Sequence, residues 1–256
     1  MTLVLLCVIA ALASALTFVS GFGLGTILLP AFALFSPLEQ AVASTAVVHF
    51  LNGLFKLGLV GRHADRNVVL RFGLPAIAAA LAGAWTLDRL AGASPLARYH
   101  VLGIDGEITG VGLVVGALLL AFTLLEIVPR FKAMSFPASY LPLGGVLSGF
   151  FGGLSGLQGA LRSAFLIRAG LAKEAYVATG VVIACLIDIG RIGVYARSLS
   201  HDVSLDAGTL APAVAAAFAG SWLGNRFLRK TTLRGVQRLV GVMLAIFAAG
   251  LVLGVL

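Results

Sequence analysis

Apolar residues run along this chain in eight stretches, approximately 2–36, 40–61, 69–90, 108–128, 138–170, 173–195, 207–225 and 236–256. A bilayer core takes about 20 helical residues to cross. Backbone polar groups in lipid have to be satisfied within their own segment, so each stretch is read as helical. The first and fifth are too long for one ordinary span, and each carries a glycine-rich break. The first break reads Gly21-Phe22-Gly23-Leu24-Gly25 and runs on to Pro30; the second reads Gly153-Leu154-Ser155-Gly156-Leu157-Gln158-Gly159. Glycine reaches backbone angles that other residues avoid. Each long stretch is therefore expected to be two helical pieces joined at a non-helical turn.

The breaks belong to a longer repetition with an offset of 135 to 137 residues. Pro75-Ala76, Gly83, Trp85 and Arg89 recur as Pro212-Ala213, Gly220, Trp222 and Arg226. A duplicated apolar chain with a broken segment in each half is the pattern of a transporter built from repeats. The expected organisation is one all-α integral membrane domain over 1–256. Repeat one spans 1–128, a linker 129–137, and repeat two 138–256.

Composition narrows the class further. Hydrophobic residues are 60% of the chain and charged residues 11%, which leaves no room for a separate soluble domain. The net charge of +8 is scattered through loops, with no basic stripe of the kind nucleic acid needs. Loop Lys and Arg instead report orientation. If all eight stretches crossed once, alternate loops would hold nine and six basic residues. If the two long stretches are re-entrant hairpins, the split becomes twelve to three, with only Arg89, Arg98 and Arg197 on the poorer side. The second split obeys the positive-inside rule far better. It makes the halves inverted repeats and puts the basic loops 62–71, 130–132, 168–173 and 226–238 in the cytoplasm. The competing topology has residues 2–20 crossing completely. The first basic residue is Lys56, so the N-terminus reads as a retained segment and not a cleaved signal. Cys7 and Cys185 fall within apolar stretches without metal-ligand spacing and are read as packing residues.

Charged residues inside apolar segments are expensive and are functional candidates by default. They are Lys56, Arg162, Arg191 and Asp188. Lys56 and Arg191 are 135 residues apart, as are Gly58 and Gly193, so a cation occupies the equivalent place in each half. Snorkelling to headgroups is the competing role for both. Asp188 and Arg191 are three apart and fall on one helix face, which favours an internal ion pair over proton coupling. Arg162 follows the second break within a turn. Asn52 shares a face with Lys56, and His49 lies one turn further back, suited to an interhelical hydrogen bond. Three cations against one carboxylate make the interior net +2, which selects anions. A helix resuming after each glycine turn adds free N–H groups and a positive dipole end. Thr26, Gln158 and Ser163 are further donors. The candidate substrate site thus comprises Gly21, Phe22, Gly23, Leu24, Gly25, Asn52, Lys56, Gly156, Leu157, Gln158, Gly159, Arg162 and Arg191, with His49 and Asp188 as a coupling or ion-pair set. No nucleophile triad, metal cluster or phosphate-loop motif is legible, so no enzyme activity, metal or cofactor is expected.

The residues Gly21-Phe22-Gly23-Leu24-Gly25 with Pro30, followed by Ala41-Val42-Ala43-Ser44-Thr45, resemble the TauE/SafE sulfite exporter family. The second copy is similar: Leu147-Ser148-Gly149, Gly156-Leu157-Gln158-Gly159 and Ala175…Ala178-Thr179. The resemblance covers nearly the whole chain. It implies an inner-membrane exporter of a small sulfur-containing anion, sulfite or an organosulfonate, working by alternating access. Gln158, Ala160, Phe165 and Arg162 depart from the family pattern, which points to a differently tuned second half. The expected partners are the lipid bilayer, a small anion and, as an assembly, a homodimer. The competing functions are transport of another small anion or metabolite, and a non-transport scaffold subunit.

Overall fold

A computed structural model describes residues 2–16, 23–101, 103–132, 134–198, 206–227 and 234–255. Among the described residues, eleven α-helices follow the apolar stretches: α1 Thr2–Leu16, α2 Leu24–Ala33, α3 Leu38–Val60, α4 Arg66–Ala91, α5 Gly110–Ile127, α6 Pro129–Lys132, α7 Leu141–Ser155, α8 Gly159–Leu166, α9 Lys173–Ser198, α10 Ala207–Phe227 and α11 Arg234–Leu253. Both long stretches are split as expected, into α1 and α2 and into α7 and α8. By length and composition, α3, α4, α5, α9 and α10 are able to cross a membrane. At about 1.5 Å per residue, the 15-residue α1 covers about 22 Å, less than a hydrocarbon core of about 30 Å.

The all-helical expectation missed one feature. Ala97–Val101 (β1) and Ile104–Ile108 (β2) pair as an antiparallel ribbon between α4 and α5. Gly103 turns it with φ of 78°, and Arg98 reaches Glu107 at 3.1 Å across the strands. The Glu107 amide donates to the Gly254 carbonyl at 2.8 Å, which fastens the ribbon to the end of α11. Five residues per strand are too few for alternation to stand out beside long apolar helices. Asp206 starts α10 as its cap, accepting from the Gly208 amide and Thr209 hydroxyl. Those hydrogen bonds, Thr209 first, hold its carboxyl below the usual carboxylate range.

Packing between the halves is reciprocal. The most extensive interface joins α7 to α4, and the next joins α1 to α10. The first leg of each split stretch therefore packs on a long helix of the other half. α3 packs against α9, and α5 against α11, so equivalent helices also face each other.

Absent side chains make the closest approaches possible. A Cβ on Gly145, Gly149 or Gly153 of α7 would stand 2.1–2.2 Å from the carbonyl oxygens of Phe72, Ala76 and Ala80 on α4. The glycines recur every four residues and so do their partners, so one ridge lies directly along the other backbone. Gly83 of α4 returns the contact, 2.0 Å from the Phe150 carbonyl oxygen. Its repeat partner Gly220 meets the Ala11 carbonyl oxygen at the same 2.0 Å. In lipid, where apolar side chains gain little by leaving the solvent, close packing of small residues holds helices together.

Gly58 and Gly193 are the matched control, since a Cβ on either would meet nothing within 4 Å. Gly149→Ala and Gly83→Ala are expected to cost at least about 1–3 kcal/mol by forcing α4 and α7 apart. Gly58→Ala and Gly193→Ala remove backbone entropy from an exposed helical site and are expected to be neutral or to stabilise by up to about 1 kcal/mol. Thermal unfolding in detergent separates the two pairs; equal midpoints for all four would show that backbone contact does not hold the helices together.

Candidate functional site

The second break is a short turn held by a few hydrogen bonds. α7 stops at Ser155, and Gly156 takes the left-handed conformation with φ of +80° while its amide still donates to the Gly152 carbonyl at 2.8 Å. A residue with a Cβ is strained at that angle. The Ser148 hydroxyl donates to the Gln158 carbonyl at 3.2 Å, and α8 begins at Gly159. In the first break, Gly21 and Phe22 lie outside the described residues. Gly23 is extended and leads into α2, its carbonyl accepting from the Thr26 amide at 3.1 Å. Leu24 and Leu157 are buried.

The two breaks, far apart in sequence, abut. A Cβ on Gly25 would lie 3.1 Å from the Gly156 carbonyl oxygen, and one on Gly159 would lie 3.5 Å from the Gly23 Cα. Backbone therefore meets backbone, and any ligand at these turns sits beside the contact and not in a gap between them.

Behind Gly156 stands a buried ion cluster. The Arg191 guanidinium fills the space where a Gly156 side chain would be, with Nη1 2.6 Å from that Cβ position. Arg191 Nε donates to Asp188 Oδ1 at 2.9 Å, and Asp188 Oδ2 lies 2.6 Å from His49 Nδ1 on α3. Arg191 and Asp188 are both wholly buried. Arg191 Nη2 is 2.8 Å from Asp188 Oδ1 but poorly angled for a hydrogen bond. One carboxylate thus joins α9 to α3 and, through Arg191, to the glycine turn. The Tyr195 hydroxyl, one turn along α9, donates to the Gly153 carbonyl.

Arg162 lies one turn into α8, half-buried, and its Nη1 donates to Gln158 Oε1 at 3.0 Å. It acts electrostatically on Lys56, which is also half-buried, and feels Asp188 in turn. Across from it on α9, Gly180 leaves room: a Cβ there would stand 3.6 Å from Arg162 Nε. Arg162, Arg191, Asp188, His49 and Gln158 therefore gather beside the abutting turns, with Lys56 in electrostatic reach of Arg162. Asn52 points elsewhere. Its Oδ1 accepts from the Ser221 hydroxyl at 2.8 Å, and Ser221 is 2.6 Å from Ser14, a buried polar chain from α3 through α10 to α1.

Some residues of interest escaped the sequence. Glu126 ends α5 and lies close to the second break, its Oε1 4.0 Å from a Gly159 Cβ position. It sits at a segment end, where a carboxylate reads as part of a loop. With Ser163 and Tyr176 it lines a cavity of about 290 Å³ beside α8. A second cavity of about 350 Å³ is lined by Leu3 and Leu6 of α1, Phe35 just beyond α2, Gln40 of α3 and Asp206. Thr26 is buried in α2. Trp85 and Trp222 are about half exposed, each with the arginine four residues on lying over its ring, Arg89 at 5.0 Å and Arg226 at 5.4 Å.

Removing one partner from a buried ion pair leaves the other charge uncompensated. Asp188→Ala is expected to cost about 3–5 kcal/mol, read as a lowered unfolding midpoint. Replacing Arg191 as well, by Leu, is expected to recover part of that loss. A double variant no more stable than Asp188→Ala would show that the pair is not the coupled unit.

No curated protein and no solved structure matches this chain. The model of the family described as Sulfite exporter TauE/SafE matches residues 6–251, which takes in both breaks, the reciprocal helices and the ion cluster. The chain is a multi-pass membrane protein and belongs to the TauE/SafE family of membrane transporters.

Proposed function

We propose that this transporter exports a small sulfur-containing anion, sulfite or an organosulfonate, across the inner membrane by alternating access. The observation that carries the proposal is Arg162 standing on Gln158 beside two abutting glycine turns, within electrostatic reach of Lys56. Asp188 is committed to Arg191 and His49, so its negative charge is used within the ion cluster. With Glu126 counted beside Asp188, three cations still exceed two carboxylates, leaving the neighbourhood at +1. A positive site of low dielectric favours anions. The amides that open α2 and α8 add partial positive charge beside the turns.

In this proposal the residues divide the work. Lys56 and Arg162 hold the anion's charge, and backbone of the Gly21–Gly25 and Gly156–Gly159 turns supplies hydrogen bonds. Arg191 braces the second turn, and Asn52 fixes α3 through Ser221. The halves are inverted repeats whose split stretches are re-entrant hairpins. Supporting this, both ends of the α1–α2 hairpin line one cavity with the start of α10. The loops 62–71, 130–132, 168–173 and 226–238 face the cytoplasm in the same scheme, following the charge split. The two cavities are the vestibules of alternate faces, and the membrane potential favours anion exit without further coupling.

Uptake of radiolabelled sulfite into proteoliposomes tests the reading. Lys56→Ala and Arg162→Ala are expected to fold and to lose uptake at least tenfold, because each removes a charge-assisted bond to the anion. Uptake unchanged in both would remove the assigned site. No uptake of sulfite or any sulfonate by the wild-type protein would remove the substrate class.

A further inference from the structure

We infer that Gln158 is the residue that sets specificity, selecting a three-oxygen anion by donating to its third oxygen. The inference rests on the anion-transport reading above and specifies its recognition. Gln158 is 2% exposed, on the turn between α7 and α8 where the two breaks meet. An amide side chain has two ends, and only one is used by the protein. The end facing Arg162 is the oxygen, because a guanidinium only donates, and the bond is 3.0 Å long. The other end, Nε2, is therefore a donor, and among the described residues it has no hydrogen-bond partner. A buried donor without an acceptor is costly and uncommon. A flip would set the amide NH₂ against Arg162, donor facing donor, so the orientation is locked.

That lock has a chemical consequence. A ligand held by the other N–H groups of Arg162 meets the Gln158 amide beside it, and at that point only an acceptor fits. A sulfonate or sulfite group has three oxygens, enough to satisfy Arg162, the turn amides and Gln158 together. A two-oxygen anion of the same charge satisfies Arg162 and the turn but leaves Gln158 Nε2 without a partner. A site with a buried donor penalises the ligand that lacks the matching group. The equivalent places in the first half, at offsets of 135 to 137, are Gly23, Phe22 and Gly21, so that half has no hydrogen-bonding side chain to do this. The donor is a property of the second break alone.

Methanesulfonate and methanesulfinate isolate the effect, since both are monoanions with one methyl group and differ by one oxygen. Their dissociation constants are measured by calorimetry on the purified full chain in detergent. The wild type is expected to prefer methanesulfonate at least tenfold. Gln158→Leu removes the donor, and Gln158→Glu keeps the shape but replaces the donor with an acceptor. In both, the preference is expected to fall to within about twofold, with Gln158→Glu weakening both ligands by neutralising Arg162. Thermal unfolding identifies a variant that has lost its fold, and the other then supplies the comparison. A wild type that binds both ligands without preference overturns the inference, and so does a folded variant that keeps the preference; either leaves anion transport standing. A wild type that binds neither overturns both.

Discussion

The space beside Gly156 is filled by a guanidinium and not by a side chain of its own, and the arrangement of the site depends on that substitution. Gly156 adopts a left-handed turn that ends α7, and the missing Cβ makes room for Arg191. The arginine brings a charge to a place shielded from solvent, which requires the carboxylate of Asp188 in return. Asp188 in turn reaches His49 on α3. A single backbone angle is thereby tied to the two long helices that face each other across the repeats. The turn also exposes its carbonyl oxygen toward Gly25, so the same residue sets how closely the two breaks approach.

Reciprocal packing gives this contact its rigidity. Neither split stretch lies mainly against helices of its own half; α7 runs along α4 and α1 along α10. A shift of α7 consequently moves relative to the first half, and a shift of α1 relative to the second. The glycine ridges leave no deformable side chains along much of these interfaces. Motion then favours displacement of whole helices over local repacking, since close-packed surfaces transmit strain.

Much of this was legible in the sequence because membrane helices leave coarse marks. Segment bounds followed from apolar length, and both splits followed from Gly21–Gly25 and Gly153–Gly159. The recurrence of Gly83 and Gly220 marked two positions that the fold shows to be backbone contacts. The pairing of Asp188 with Arg191 was visible as a spacing of three, whereas its bond to His49 joins residues 139 apart and only the fold shows it. The ribbon at 97–108 was hidden by its brevity. Asn52 was misleading in a different way: its face was readable, but Ser221 and Ser14, its partners, look like ordinary small residues in apolar helices. Glu126 was hidden by its place at the end of a segment, where no rule distinguishes a loop carboxylate from one that folds back toward the site.

Lys56 and Arg191 are equivalent by sequence offset, yet their surroundings differ. Three residues before Arg191 stands Asp188, which pairs with it; three residues before Lys56 stands Gly53. Gly53 is no accident of composition, because a Cβ there would come within 2.7 Å of the Cys185 sulfur on α9. The first half therefore uses that position to bring α3 close to α9, and the second uses it to neutralise a cation. Charge neutralised by a neighbour on the same helix serves the fold. The two matched positions therefore join different parts of the fold: Asp188 ties Arg191 to the second turn and α3, while Gly53 lets α3 lie against Cys185 of α9.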